Sequence, residues 1–414
     1  MGSHSQGTYL TGASNPTHPS NPIDPMNPID PTDPTNPISI HLIAAARPNF
    51  MKIAPLYHAL KKEDWAVPII VHTGQHYDLN MSDAFFQDLN LPEPDLHLGV
   101  GSGTHAEQTG HVMIAYEKVL LERRPDLVIV VGDVNSTIAC ALAASKISYN
   151  PGSSIQHPET RNRPLLAHLE AGLRSFDRTM PEEINRLVTD ALADILWTPS
   201  PDADENLIRE GISRDKIHRV GNIMIDSLEM LRDKIQKQTV YKEFGLKYGD
   251  YGLVTLHRPS NVDDKEDLEK ICRTLARIAQ KISLIFPIHP RTRKNLQKES
   301  LISLIDDSPN FYITEPLNYL TFMNLLFNCR LAITDSGGIQ EETTYLGIPC
   351  LTMRPNTERP ITVSKGTNRL CTKDNLEDYI DSIISGKNLK HTVPELWDGH
   401  TAERVVKSIK SYMR

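Results

Sequence analysis

From Ile38 onward, apolar runs of strand length alternate with segments of helical periodicity, and this alternation restricts the chain to parallel sheets flanked by helices. ISIHLIAAA, VPIIVH, DLVIVVG, LLAHLE and DILWTPS read as buried strands. They are nearly free of polar residues, as a strand covered on both faces must be. Stretches such as KIAPLYHALKK and HAEQTGHVMIAYEKVLLE separate them with helical spacing. A second series follows, YGLVTLH, ISLIFPIH, FYIT, LAITDS and PCLTM, again with helices between. KIHRVGN reads as the passage from one series to the other. The expected fold is α/β: two Rossmann-like, doubly wound domains, 39–217 and 218–390, facing a central cleft, with a tail at 391–414. A length of 414 residues accommodates two such cores.

Residues 1–38 stand apart. Prolines recur at every third position from Pro16 to Pro37, the period of polyproline II. This arm reads as a disordered tail or an expression leftover in preference to a docking ligand. Residues 149–163 (YNPGSSIQHPETRNR) are polar and rich in turn formers, and read as a surface insertion. A formal charge of −8 argues against a broad nucleic-acid surface, so a phosphate-bearing ligand must be held by local cations and helix N-termini. No uninterrupted apolar run reaches membrane-spanning length, and no basic-then-apolar leader opens the chain. Cys140, Cys272, Cys329, Cys350 and Cys371 are scattered without a C-x-x-C pair, which fits reduced thiols in a cytoplasm. The GVGSG run at Gly99, Gly101 and Gly103 lacks the spacing of a dinucleotide fingerprint and reads as a loop, arguing against an NAD site. No H-E-x-x-H or comparable cluster suggests a catalytic metal.

In doubly wound sheets ligands bind beyond the carboxyl ends of the strands. Those positions hold Arg47-Pro48-Asn49-Phe50-Met51-Lys52, Gly132-Asp133 and His168-Leu169-Glu170-Ala171-Gly172-Leu173-Arg174 in the first series. In the second they hold His257-Arg258-Pro259-Ser260-Asn261, His289-Pro290-Arg291 and Asp335-Ser336-Gly337-Gly338-Ile339-Gln340-Glu341-Glu342. One half thus supplies carboxylates and the other His, Arg and a glycine pair, a division that suits proton transfer on one wall and phosphate binding on the other. The strand, Ser-Gly-Gly turn and helix at 335–342 form an anion site, with Glu342 one turn further on for ribose hydroxyls. Plainer readings exist. Ser336 and Asp133 can each be helix caps. Thr179-Met180-Pro181-Glu182 has the pattern of a capping box with proline at the first helical position. His257 can be a satisfied histidine at a sheet edge.

With these residues in view, the chain resembles the non-hydrolysing UDP-N-acetylglucosamine 2-epimerase family, which has glycosyltransferase B-type architecture. The resemblance runs from about Ile40 to the C-terminus through RPNFMKIAPL, GSGTHAEQTG, GDVNST, HLEAGLRS, MPEEINR, VGNIMID, TDSGGIQEE and NTERPITVSKGTN. It implies elimination of UDP from UDP-N-acetylglucosamine to 2-acetamidoglucal, then re-addition to give UDP-N-acetylmannosamine, without NAD or metal. It further implies Asp133, Glu170 and Glu182 as acid/base and cation-stabilising carboxylates, and His257 as an assistant. Arg47, Lys52, Arg174, His289, Ser336, Gly337, Gly338 and Glu342 fall on the substrate and nucleotide side. A homodimer, and a final helix (Ala402 to Met413) returning to the first domain, are also implied.

This sequence departs from the family pattern in three places. Arg-Pro-Ser-Asn follows His257 in place of Arg-Arg-Glu, Gln75-His76-Tyr77-Asp78 stands for Gln-His-Arg-Glu, and the loop from Arg174 to Pro181 is short. The second departure leaves activation by another substrate molecule open. Three alternatives share the fold: a hydrolysing epimerase that releases free N-acetylmannosamine, an epimerase of a UDP-diacetamido-uronic acid, and a B-type glycosyltransferase. The last has no use for three carboxylates on the first domain.

Overall fold

The computed structural model describes residues 37–74, 86–149, 162–306, 308–386 and 391–413. The proline arm, Gln75–Asp78 and most of 149–163 lie outside them. The first sheet contains β1 (Ile38–Ala44), β2 (Ala66–His72), β3 (Leu96–His97), β4 (Leu127–Val131), β5 (Leu165–Leu169), β6 (Ile195–Thr198) and β7 (Ile217–Arg219). The second contains β8 (Tyr251–Thr255), β9 (Ser283–Pro287), β10 (Phe311–Thr314), β11 (Leu331–Thr334), β12 (Cys350–Thr352) and β13 (Asn368–Leu370).

All pairings are parallel, in the orders β3-β2-β1-β4-β5-β6-β7 and β10-β9-β8-β11-β12-β13. Both are the doubly wound order, with the chain reversing direction between β1 and β4 and again between β8 and β11. The apolar runs expected as strands are all strands. Only β3 and β13 escape a reading of the sequence, being two and three residues long and too short for any period to show.

Covering helices bury apolar faces on both sides of each sheet. The helix Arg47–Leu60 starts where Asn49 Oδ1 accepts from the backbone N–H groups of Ala45 and Ala46, and it buries Ile53, Ala54 and Leu56 completely. One apolar cluster runs from β1, β4 and β5 through Ile223, Leu228 and Leu231 of the helix Ile223–Gln236 to Tyr251, Leu253 and Ala332 of the second sheet. Core packing thus joins the two halves as well as filling each one.

The last helix, Thr401–Met413, packs against Arg47–Leu60 and belongs to the first half in space. Trp197 of β6, fully buried, donates from Nε1 to Ser408 Oγ at 2.9 Å, and His218 of β7 meets the Tyr412 hydroxyl at 2.9 Å. Asp226 fixes the start of this helix by accepting from Thr401 N at 3.1 Å and Ala402 N at 2.8 Å. Both donors would otherwise be unpaired in a dry environment. Asp226→Ala is therefore expected to lower unfolding free energy by about 1–3 kcal/mol, read as an earlier urea midpoint. An unchanged midpoint would show that this carboxylate does not hold the helix.

Candidate active site

At the reversal of the first sheet, the ends of β1, β4 and β5 converge. Lys52, on the second turn of its helix, reaches Glu170 just past β5, with Nζ 2.5 Å from Oε2 and both side chains buried. Two backbone features make room for this pair. Glu170 adopts φ +74°, a left-handed conformation that a residue with a side chain takes only under constraint. Its N–H and that of Ala171 both donate to Trp197 O, which supplies the constraint. Gly132, after β4, lies at φ +66°, and a Cβ placed there would sit 2.6 Å from Lys52 Nζ. The Gly132 carbonyl meets His168 Nε2 at 2.8 Å, while His168 Nδ1 pairs with Asp190 at 2.6 Å.

Asp133 follows. Its Oδ2 lies 2.5 Å from Arg186 Nη1, and its carbonyl accepts from Asn185 Nδ2. Arg186 is itself fixed by Glu183, whose carboxylate also accepts from the N–H groups of Ser175 and Phe176. Burial would raise the Glu183 carboxyl, but these donors hold it below its ordinary range. Asp133 thus belongs to an ion-paired network and does not cap the helix Asn135–Lys146, whose cap is Val134.

The capping-box reading of 179–182 is corrected. Thr179 donates to Asp177, the helix Pro181–Leu192 begins after Met180 without a side-chain cap, and Glu183 is the carboxylate that turns back on the chain. Glu182 is left exposed, makes no hydrogen bond among the described residues, and acts electrostatically on Arg258 of the other half. Arg174 is also corrected. It is 1% exposed, with Nε and Nη2 on Glu210, Nη2 on Asp190 at 2.7 Å and Nη1 on Leu173 O. It ties the loop after β5 to the protein body and does not line the cleft.

At the reversal of the second sheet, Asp335 after β11 is fully buried. Its Oδ2 accepts from His257 N, Arg258 N and Asn261 Nδ2, and its Oδ1 lies 2.9 Å from His257 Nδ1. Burial opposes its ionisation, yet these partners keep the carboxyl below its ordinary range. Asp335 thereby orients His257, whose side chain remains 42% exposed and whose ring lies 5.5 Å from that of His289. His289 is exposed and caps its own helix through Nδ1.

Ser336 precedes the helix Gly337–Leu346 and makes no side-chain cap bond, which leaves its hydroxyl available beside the unpaired N–H groups. Gly337 has no room for a side chain: a Cβ would meet Glu358 Oε1 at 2.6 Å and Arg359 Nη1 at 2.7 Å. Glu342 accepts from the Tyr319 hydroxyl at 3.0 Å, and burial pushes its carboxyl up to about 8. Arg47 lies over the Tyr319 ring, 6.0 Å from its centroid, so it reaches the second half from the first.

The two walls meet in a buried run of charges. Arg359 pairs with Glu341 at 2.8 Å and Glu358 at 2.7 Å, and Arg354 pairs with Glu358 at 2.9 Å. Arg359 also feels Glu170 and Asp133 across the cleft. Sequence reading misses Arg186, Asp335, Glu341, Glu358 and Arg359 as site residues. Three of these motifs (MPEEINR, TDSGGIQEE and NTERPITVSKGTN) contain them all, so the motifs carried the signal but not the pairing.

Two doubly wound sheets facing each other across their reversal points, with a glycine-rich helix start after β11 on one side, define the glycosyltransferase B-type architecture. The same fold, at a TM-score of 0.51 and 15% identity, is found in a lipopolysaccharide outer core galactosyltransferase. The family model described as UDP-N-acetylglucosamine 2-epimerase matches residues 58–410, and the chain belongs to that family. A UDP-N-acetylglucosamine 2-epimerase of Methanocaldococcus jannaschii is 42% identical over 378 residues, spanning 89% of this chain and 98% of its own. The crystal structure of the M. jannaschii UDP-GlcNAc 2-epimerase in complex with UDP-GlcNAc and UDP superposes with a TM-score of 0.78, covering 90% of this chain and all of that one. A UDP-2,3-diacetamido-2,3-dideoxy-D-glucuronate 2-epimerase of Pseudomonas aeruginosa is 40% identical over 337 residues, 80% of this chain and 88% of its own.

The Lys52–Glu170 pair depends on the bare backbone at Gly132. Gly132→Ala is expected to displace the Lys52 ammonium and lower kcat roughly 100-fold, with a stability cost of about 1–3 kcal/mol from the positive φ. Steady-state kinetics and thermal melting read the two effects separately. Wild-type turnover in this variant would show that the pair tolerates displacement.

Proposed function

We propose that this chain interconverts UDP-N-acetylglucosamine and UDP-N-acetylmannosamine by eliminating UDP and adding it back. The observation that carries the reading is the opposition of two carboxylates, Asp133 and Glu170, each held by its own cation, to the helix start at Ser336-Gly337-Gly338. In this reading the diphosphate sits on that helix start, with Arg47 and His257 beside it. The ribose hydroxyls reach Glu342, and the sugar lies toward the carboxylate wall.

One carboxylate takes the C2 proton while the C1–O bond breaks and its electron pair leaves on UDP. Positive charge that develops at C1 is countered by the remaining carboxylates, Glu182 completing the set from the rim, and the departing charge by the helix start and cations. The product in the cleft is 2-acetamidoglucal with UDP. Protonation at C2 from the opposite face and attack of UDP oxygen at C1 then restore the nucleotide sugar with inverted C2. Only a proton and UDP are exchanged, so the reaction calls for neither a hydride carrier nor a metal. The nucleotide-sugar substrate and five unpaired buried cysteines suit a cytoplasmic enzyme, and a homodimer is the assembly expected.

A second reading, an epimerase acting on a UDP-diacetamido-uronic acid, has the support of the Pseudomonas relative, nearly as similar in sequence as the Methanocaldococcus one. Proton NMR in heavy water separates the two. UDP-N-acetylglucosamine incubated with the protein alone is expected to gain deuterium at C2 as UDP-N-acetylmannosamine forms. Free N-acetylmannosamine would mark a hydrolysing enzyme, and an unchanged, fully protonated substrate would transfer the proposal to the uronic acid. Asp133→Asn and Glu170→Gln are expected to lower kcat by about 10²–10⁴, with little change in the Kd for UDP. Ser336→Ala is expected to weaken UDP binding roughly 3- to 10-fold, the worth of one hydrogen bond. Near-normal rates in Asp133→Asn would remove that residue from proton transfer.

A further inference from the structure

The turn that presents Asp133 is held by His168, a residue outside the carboxylate set. Its side chain, on β5, is 1% exposed. Nε2 lies 2.8 Å from the Gly132 carbonyl oxygen, and Nδ1 lies 2.6 Å from Asp190 Oδ1. A carbonyl oxygen only accepts hydrogen bonds, so Nε2 must carry a proton. Asp190 Oδ2 accepts from Gly172 N at 3.0 Å and lies 2.7 Å from Arg174 Nη2, so the Asp190 side chain is a carboxylate and Nδ1 carries a proton too. Burial would raise the Asp190 carboxyl, but His168 and Arg174 hold it below its ordinary range. Either neutral form of the ring would set a lone pair against an acceptor in a dry interior, a costly arrangement. His168 is therefore a buried imidazolium with each N–H committed to one acceptor.

Of the two acceptors, Gly132 bears on the site. Its oxygen belongs to the planar peptide unit that joins Gly132 to Asp133. Gly132 sits at φ +66°, and a glycine left alone restricts this peptide less than any other residue would. The hydrogen bond from His168 supplies the restriction on one side of Asp133. On the other side, Asn185 Nδ2 donates to Asp133 O at 2.8 Å, while Arg186 pairs with Oδ2. Asn185, Arg186 and Asp190 all stand on the helix Pro181–Leu192. One helix thus secures the carboxylate, the peptide after it and, through His168, the peptide before it.

We propose that His168 is a positioning residue for the epimerisation: its doubly protonated ring, braced by Asp190, fixes the Gly132–Asp133 peptide and through it the aim of the Asp133 carboxylate at the sugar. Being buried, it touches no substrate and passes no proton to one. This inference rests on the epimerase reading above and on Asp133 as a carboxylate of that reaction.

The test separates the two ring nitrogens. An asparagine amide nitrogen falls where Nδ1 stands and a glutamine one where Nε2 stands, and both are donors. His168→Gln therefore keeps a hydrogen bond for Gly132, and His168→Asn keeps only the one to Asp190. Steady-state kinetics with UDP-N-acetylglucosamine and thermal melting are read on the full chain. His168→Asn is expected to lower kcat about 100-fold, the cost of a misplaced reacting group, with KM changed less than about threefold. His168→Gln is expected to stay within about tenfold of the wild-type kcat, even where it melts earlier than the asparagine variant. A ring that serves only as an ion-pair anchor between β5 and the helix predicts the reverse: kcat would follow the melting temperature, and the asparagine variant would be the more active. That order, or equal rates in the two variants, overturns the proposal, as does a loss carried by KM with kcat intact. If neither variant folds, nitrogen NMR of the histidine-labelled wild type decides: a buried imidazolium whose ring protons resist exchange supports the assignment, and single protonation of every exchange-protected ring overturns it. Absence of any turnover in the wild type would defeat the epimerase reading, whereas turnover with wild-type kcat in His168→Asn would defeat only the role of His168.

Discussion

The buried Lys52–Glu170 pair is the interaction on which the remainder of the cleft depends. Removing two charges from water is costly, and attraction compensates only when geometry is good and other polar atoms are satisfied. Lys52 comes from the helix after β1, Glu170 from the turn after β5, and Gly132 from the turn after β4 makes the space. Three neighbouring strand ends are therefore held in one arrangement by one 2.5 Å contact. The positive φ of Glu170 is tolerated because Trp197 O accepts two N–H groups at that turn, and Trp197 is itself locked to the C-terminal helix by Ser408. Packing of the last helix and aim of the carboxylate are links of one chain of contacts.

Parallel strands explain why this site is electrostatically divided. Every β-to-α turn in such a sheet directs a helix N-terminus, with about half a positive charge, toward the same edge. Two facing sheets therefore present positive helix ends on both walls. Asp133 and Glu170 lower that potential on the first wall and are themselves neutralised by Arg186 and Lys52. On the second wall Ser336 makes no side-chain cap bond, the Glu358–Arg359 pair lies against Gly337, and two further carboxylates lie deeper, at Glu341 and Glu342. Burial raises both of these carboxyls even so, because the loss of hydration outweighs the help of a dipole concentrated in the first turn. Burial opposes ionisation of Asp335 and Glu358 on the same wall too, yet their donors and the Arg354 and Arg359 cations hold them the other way, below their ordinary range.

Much of this was legible in the sequence, for physical reasons. A strand covered on both faces has to be apolar throughout, so the runs from Ile40 to Leu351 announced themselves, and the two short edge strands did not. Candidate positions are sought at strand ends because a parallel sheet gathers its β-to-α turns along one edge. What the sequence withholds is pairing. Arg174 and Arg186 both follow a strand-end motif, yet Arg174 is turned inward onto Asp190 and Glu210, while Arg186 reaches Asp133. Glu182 and Glu183 are adjacent in MPEEINR, and only the phase of the helix beginning at Pro181 decides that Glu183 is buried and Glu182 open. Glu341 and Arg359 lie far from Glu170 in the chain, and no local pattern relates them.

The same constraint on buried charge applies between the two walls. Glu170 and Glu341 are like charges on opposite halves, but Lys52 and Arg359 each bring an opposite charge with them. Each half therefore contributes an ion pair that is complete by itself, so neither wall relies on the other to balance its buried charge.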